Sequence, residues 1–471
     1  MKSQFPQGHS ASHGPGSAGV TLVEQLVRSI SAQIDEGRLS QGEKVPSIRA
    51  QAQEQGVSRF TVVNAYERLV ALGYLESRSG SGFFARKRPN AGPLARRQKT
   101  AESVSRSWLI WNQFGSLARA NMPGSALLPA AWLDADMLAS TVRAVGRQNL
   151  DSMLHYGTPG GFLPLRNQLC LKLAECEISA KPEQIVLTSG VTQAIDLICR
   201  ELTVPGDTVL VEDPAWYRMF AMFASLGLKV IGIPRLADGP DIERLQACAR
   251  QHKPKLFLVN SVLQNPTGTS VSAAKAHSIL QTAEHEDFLV IETDVFSDFH
   301  GGAATRLATL DQLRRVIYVS SFSKTLSATL RVGFLACDQD LAAALMEQKL
   351  KTCLTTSEIG ERVVYKVLND GHYRKHMARI RNRVAAVREP TLRKLQAIGL
   401  KIPTPPLYGV LVWADTGVDS DTLAIDGLAE DILLAPGSLF TPLQSPSTWM
   451  RFNLATSGSA HILGFLSKRF G

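Results

Sequence analysis

Apolar residues recur every three to four positions near the start of the chain and later give way to short, unbroken apolar runs. Leu22, Leu26, Ile30 and Ile34 fall four apart, the spacing of one helical face, and Gly37 ends the run. Pro46-Ser47 opens a second short helix that Gly56 stops. Ser58 is placed as the N-cap of a third, whose buried stripe is Val62, Tyr66 and Leu69 and which Gly73 ends. Residues 74–78 and 82–85 flank Ser79-Gly80-Ser81, the pattern of a hairpin. Three helices and a two-stranded ribbon make a winged helix-turn-helix. Further along, Ile185–Thr188, Thr208–Val211, Lys229–Ile233, Leu256–Val259, Phe288–Ile291, Val316–Val319 and Gly333–Ala336 are apolar without polar alternation, and helical segments separate them. Strands of this kind are buried on both faces, which predicts an α/β unit built on a parallel sheet covered by helices. Residues 340–471 read as a further α+β lobe, with helices around Leu341–Leu368 and Arg374–Ala397.

Composition sets the domain boundaries. Residues 1–19 are rich in Gly, Ser, His and Pro and predict a disordered lead, while the basic, Pro- and Gly-containing stretch 87–107 predicts a linker. The small helical head is then expected at 20–86 and the body at 108–471, with a large lobe near 150–340 and a small lobe near 341–471 that takes in the body's N-terminal segment. No apolar stretch approaches the ~18–20 residues that span a bilayer, which excludes an integral membrane protein. Six scattered cysteines without C-x-x-C spacing argue against a zinc ribbon or a disulfide framework, so no metal site and a cytoplasmic setting are expected. Charge is uneven. Residues 1–106 hold 15 Lys and Arg against 8 Asp and Glu, an excess of seven within a net charge of +9, so the head and linker suit a polyanion.

In a helix-turn-helix the first residues of the third helix face base edges, while earlier helices and the wing meet phosphates. Arg59 is then placed to pair with guanine, the hydroxyls of Ser58 and Thr61 to reach phosphate, and Asn64 and Arg68 to continue the uncovered face. Arg49 opens the second helix, and Arg78 precedes the Gly80-Ser81-Gly82 wing tip. The motifs G-x-x-[LV]-P-S-x-R, G-V-S-R-x-T-V, A-Y-x-x-L and the G-S-G wing occur in order over about residues 21–85. This stretch resembles the DNA-binding domain of GntR-type bacterial transcription regulators. The resemblance implies that Arg49, Arg59, Thr61 and Gly80 contact double-stranded operator DNA. Phe60 stands where a small hydroxyl residue is common, a change that bears on base preference.

In the body, candidate chemistry collects after strand ends, where open α/β sheets place ligands. Thr188-Ser189-Gly190-Val191-Thr192 turns into a helix start that suits phosphate; Asn265-Pro266-Thr267-Gly268 and Ser321-Phe322-Ser323-Lys324 come after later strands, with Arg331 close behind. A lysine just past a buried strand beside a hydroxyl and an arginine suits a Schiff-base site next to a bound phosphate. Together these motifs resemble fold-type I pyridoxal-phosphate enzymes of the aminotransferase class, from about Tyr156 to Arg451. The resemblance implies that Lys324 forms an internal aldimine with pyridoxal 5'-phosphate. By the same likeness Gly190, Val191, Thr192, Ser321 and Arg331 hold the phosphate, Trp216 stacks on the ring and Asn265 meets its hydroxyl. Tyr156 would reach the phosphate of a neighbouring subunit, implying a homodimer, and Arg451 would grip an amino-acid carboxylate. A GntR-like head on such a body resembles the MocR subfamily of regulators.

One strand departs from that family's pattern. Where the family usually reads E-D-D-V-Y-G-D, the chain reads Glu292-Thr293-Asp294-Val295-Phe296-Ser297-Asp298. Thr293 falls at the carboxylate that keeps the pyridine nitrogen protonated, and Phe296 at a tyrosine facing the ring hydroxyl. Asp294 is one residue off and reaches the ring only if a bulge re-aims it. Ala328-Thr329 also replaces a common Pro-Gly, and Val191 a frequent serine. The expectation is a regulator that binds the cofactor and senses an amino acid or amine effector, with poor α-proton chemistry. Two other readings stay open: a working aminotransferase with an appended DNA-binding head, and a regulator whose body no longer binds the cofactor.

Overall fold

The structure is a computed structural model that describes residues 21–86, 111–112, 121–148 and 154–470, and the lead at 1–19 and linker at 87–107 lie outside the described residues. The chain divides into two compact units, residues 1–101 and 102–471. In the first, helix α1 (Leu22–Asp35) starts in a capping box in which Thr21 and Glu24 each satisfy the other's backbone N–H. Helix α2 (Ile48–Gln55) is capped by Ser47, whose Oγ accepts the Ala50 N–H, and ends at Gly56 in the left-handed conformation. Helix α3 (Arg59–Ala71) is capped by Ser58, whose Oγ accepts the Thr61 N–H at 3.1 Å. Its inner face, Val62, Ala65, Tyr66 and Leu69, is wholly buried. The Tyr66 hydroxyl donates to the Pro46 carbonyl at 2.8 Å, and its ring meets Phe83 edge-on. Strands β1 (Leu75–Arg78) and β2 (Gly82–Ala85) close the wing in antiparallel register, Leu75 opposite Ala85 and Arg78 opposite Gly82.

The second unit is built on an eight-stranded sheet of β3 (Ile185–Thr188), β4 (Thr208–Asp213), β5 (Lys229–Leu236), β6 (Gly239–Pro240), β7 (Leu256–Val259), β8 (Leu289–Thr293), β9 (Val316–Ser321) and β10 (Gly333–Ala336), in the order β3-β10-β9-β8-β7-β4-β5-β6. The sheet is mixed rather than parallel. Strands β5, β4, β7, β8 and β9 run parallel, but β10 returns antiparallel between β9 and β3, and β6 pairs antiparallel with β5. The connection from β9 to β10, residues 322–332, holds no helix, and an antiparallel neighbour needs none, because only parallel neighbours require a long crossover. Both faces are covered, as the unbroken apolar runs predict. Val209, Val211, Leu256, Leu258 and Ile291 enter one core, while Leu210, Phe257, Val259 and Val290 enter the other.

The small lobe holds a three-stranded antiparallel sheet, β11 (Leu411–Asp415), β13 (Trp449–Asn453) and β12 (Ala435–Pro436), in the order β11-β13-β12. The segment around Pro123 is bound to it: Gly124 N–H donates to the Leu433 carbonyl, and Asn453 N–H to that of Pro123. The two helical stretches expected here resolve into Gln339–Cys353, Glu358–Asn369 and His372–Ala397. Among the described residues no helix is long and apolar enough to cross a membrane.

The head has its own core, so its unfolding responds to its own side chains. Tyr66→Phe removes the hydrogen bond to the Pro46 carbonyl and lowers the head's unfolding free energy by about 1 kcal/mol. Leu69→Ala lowers it by about 2–5 kcal/mol. Denaturant titration of the full chain is expected to move the head's transition and leave that of the body in place; a shift of the body's transition would contradict two separate cores.

Candidate functional site

Lys324 lies in the loop that leaves β9 and turns back into β10, closed by the Phe322 N–H on the Val332 carbonyl. The long helix His372–Ala397 braces this loop from behind. His376 Nε2 lies 2.8 Å from the Thr325 carbonyl, and the Tyr373 and Thr325 hydroxyls are 2.9 Å apart. Around Lys324 opens a cavity lined by Val191, Thr192, Trp216, Arg218, Asn260, Asn265, Thr293, Val295, Phe296, Ser321, Ser323 and Arg331. It stands at the C-terminal ends of parallel strands, where their last backbone groups and the adjoining loops converge. Most residues singled out from the sequence therefore meet in one place. Asn260 and Arg218 are additions to those residues, and Ser323, the hydroxyl next to Lys324 in its motif, lines the cavity as well.

One side of the cavity suits an oxyanion. The helix Val191–Leu202 begins there with Gly190 as its N-cap and no side chain capping its first N–H groups. Arg331 lies across this helix start, donating from Nη2 to the Ser189 carbonyl and from Nη1 to Ser323 Oγ. Gly190 does not line the cavity but makes this approach possible. Its φ is +91°, and a Cβ there would stand 2.8 Å from Arg331 Nη2.

The opposite side carries nitrogen and oxygen donors in a fixed frame. Asn260 Nδ2 donates to the Thr293 and Val262 carbonyls, and its Oδ1 accepts the Asn265 N–H, tying the ends of β7 and β8 together. Asn265 Oδ1 accepts from Arg451 Nη1 at 2.8 Å. Arg451 sits just outside the lining, fully buried, with Nη2 on the Gly124 carbonyl and its guanidinium 4.9 Å from the Phe440 ring centre. Burial pushes its pKa down to about 10. Arg218 lines the cavity directly, two residues past Trp216.

The Glu292-Thr293-Asp294 strand end resolves by simple alternation. Thr293 alone faces the cavity, its hydroxyl donating to the Val259 carbonyl at 3.3 Å. Glu292 and Asp294 point to the other face. Glu292 accepts the N–H groups of Leu307 and Ala308, both at 2.8 Å, and Asp294 takes Arg306 Nε at 2.7 Å and the Tyr318 hydroxyl at 2.8 Å. No bulge re-aims Asp294, so the expected cofactor contact from this residue is corrected: it serves an ion pair behind the sheet. Phe296 is buried at the cavity wall and offers no hydroxyl. Tyr156 is 84% exposed and outside the lining of its own chain's cavity. Its segment is fastened to β3 by Lys349, whose buried Nζ donates to the Pro159 and Leu187 carbonyls.

In the head, Arg49, Arg59, Arg78 and Gly80 are exposed, Arg49 in the first turn of α2 and Arg59 at the first position of α3. The Ser58 and Thr61 hydroxyls lie 2.8 Å apart, so each already has one partner within the cap. Arg78 spreads over the Phe84 ring at 4.4 Å, and Gly80 and Gly82 take positive φ in the wing turn.

Removal of Lys324 from water, with Arg451, Arg218 and Arg331 nearby, pushes its pKa down to about 7. Only the neutral amine attacks an aldehyde, so labelling of Lys324 in the full chain by pyridoxal phosphate is expected to run roughly tenfold slower at pH 6 than at pH 8. Borohydride trapping over a pH series measures this; a midpoint near that of a free lysine would contradict the assigned environment.

Comparison with known proteins agrees with both units. Residues 129–466 match the family model of aminotransferase class I and II, and residues 22–85 match that of bacterial regulatory proteins, gntR family. The HTH-type transcriptional regulator TauR of Rhodobacter capsulatus is 28% identical, over 95% of this chain and 95% of its own. The probable rhizopine catabolism regulatory protein MocR of Rhizobium meliloti is 27% identical, over 77% of this chain and 75% of its own. A kynurenine aminotransferase from Pyrococcus horikoshii superposes with a TM-score of 0.70 at 25% identity, over 78% of this chain and 95% of that one. The chain belongs to the aminotransferase class I and II family, with a gntR-family winged helix ahead of it in the MocR arrangement.

Proposed function

We propose that the chain is a cytoplasmic, DNA-binding transcriptional regulator: the head grips double-stranded operator DNA, and the body holds pyridoxal 5'-phosphate at Lys324 and reads an amino acid or amine effector, as a homodimer. The observation that carries the body half is the cavity lining, in which Lys324, Arg218, Arg331 and an uncapped helix start face inward and no carboxylate does. That donor set fits a phosphate monoester. The N–H groups of Val191 and Thr192, the hydroxyls of Ser321 and Ser323 and the Arg331 guanidinium would hold the phosphate. Trp216 would cover one ring face, and Asn265 would face the ring hydroxyl. The exposed Tyr156 is free to serve the cavity of a partner subunit.

When bound, the cofactor supplies an electrophilic aldehyde carbon to which amine nitrogens add. The residues of the chain determine whether exchange or turnover is favoured. With its pKa near 7, Lys324 Nζ keeps a substantial neutral fraction and so a lone pair available at neutral pH, and an effector amine competes with it for the same carbon. Arg451, steadied by Asn265, is the partner for an effector carboxylate. Thr293 carries no charge to hold a proton on the ring nitrogen, and Phe296 adds no hydroxyl. This supports binding and exchange over turnover. A change in head geometry then requires the effector to favour one of two body conformations.

Purified chain reconstituted with the cofactor is expected to absorb near ~420 nm, a band that borohydride removes and Lys324→Ala abolishes. A band that survives Lys324→Ala would overturn the assignment. In the head, Arg59→Ala is expected to weaken operator binding by roughly 1–3 kcal/mol and relax base preference. Unchanged footprints would place the recognition helix elsewhere.

A further inference from the structure

We infer that Phe60 reads thymine: its ring lies against the C5-methyl group of thymine in the major groove and makes the head select that base. The inference rests on the DNA-binding reading of the head. Phe60 is the second residue of α3 and is 73% exposed, an unusual state for a phenyl ring. Its position on the helix explains why. At 100° per residue, Val62, Ala65, Tyr66 and Leu69 centre on one side, and Phe60 projects from the opposite side. The inward side of α3 is already occupied by those four, so no small adjustment within the head buries it.

The surroundings of Phe60 narrow what it meets. It sits in the first turn of α3, the part of a recognition helix that enters the groove, and that turn holds no acidic residue to repel phosphates. Ser58 caps the helix, and its hydroxyl and that of Thr61 lie against one another. Arg59 and Phe60 are then the side chains of this turn that project without such a partner. An arginine suits the O6 and N7 acceptors of guanine. A phenyl ring makes no hydrogen bond, and the thymine methyl is the apolar feature on base edges in the major groove. Contact there removes both apolar surfaces from water. The head is thus expected to prefer a site in which thymine stands next to the base read by Arg59.

The test uses the full chain and duplexes selected by it from a random pool. Each dT of a selected duplex is replaced in turn by dU, which removes one methyl and leaves base pairing intact. The wild-type chain is expected to lose about fourfold in affinity at one or two positions per half-site. Phe60→Ala is expected to bind dT and dU alike at those positions, and Phe60→Leu to retain part of the discrimination. Because Phe60 is exposed, its variants are expected to melt with the wild type. A wild-type chain indifferent to every methyl, or a loss equal in wild type and Phe60→Ala, would overturn the inference while the DNA-binding reading stands. If the wild-type chain selects no sequence at all, that reading falls and the inference with it.

Discussion

The constraint on which the body depends is the two-residue alternation of side chains along strands covered on both faces. Each central strand feeds two cores, so Val209 and Val211 look one way and Leu210 the other, with no water-facing side left for polar groups. Polar chemistry can emerge only where the strands end. The same alternation decides chemistry at the end of β8. Glu292 and Asp294 are turned to the rear, where they anchor the chain at Leu307 and hold Arg306, and Thr293 alone meets the cavity. A substitution at one strand position thus removes a carboxylate from the site, and its acidic neighbours cannot replace it.

The result is a cavity whose electrostatics run one way. Burial lowers the proton affinity of Lys324 and Arg451, and Arg451, Arg218 and Arg331 depress that of Lys324 further. Carboxylates are plentiful nearby, but Asp298 is committed to Lys172 and Tyr373, and Glu212 to Arg235. The uncompensated charge calls for a bound anion. An anionic ligand gains most where burial has already removed competing water.

Much of this organisation is legible in the amino-acid order, for local reasons. Ser47, Gly56 and Ser58 mark helix ends because caps are satisfied within three or four residues, and the stripe Val62, Tyr66 and Leu69 is a helical period. Unbroken apolar runs locate the strands because two-sided burial is written in each strand by itself. Pairing direction is not, and the antiparallel β10 shows it. Asn260 and Arg218 escape notice because their roles come from partners distant in sequence, although each comes just after a landmark, Asn260 the end of β7 and Arg218 the ring of Trp216. Asp294 shows the converse: proximity in sequence to a chemical position means little when the strand turns the side chain away.

In the proposed function the body holds pyridoxal phosphate without supplying a proton-holding carboxylate to its ring. The most direct measurement is the 15N chemical shift of the pyridine nitrogen in 15N-labelled pyridoxal phosphate bound to the full chain. With Thr293 the one residue of the Glu292-Thr293-Asp294 strand end that lines the cavity, the expected shift is that of an unprotonated pyridine nitrogen across the neutral pH range. The shift of a pyridinium would contradict it, since a proton held there requires an anionic partner that the cavity wall does not contain.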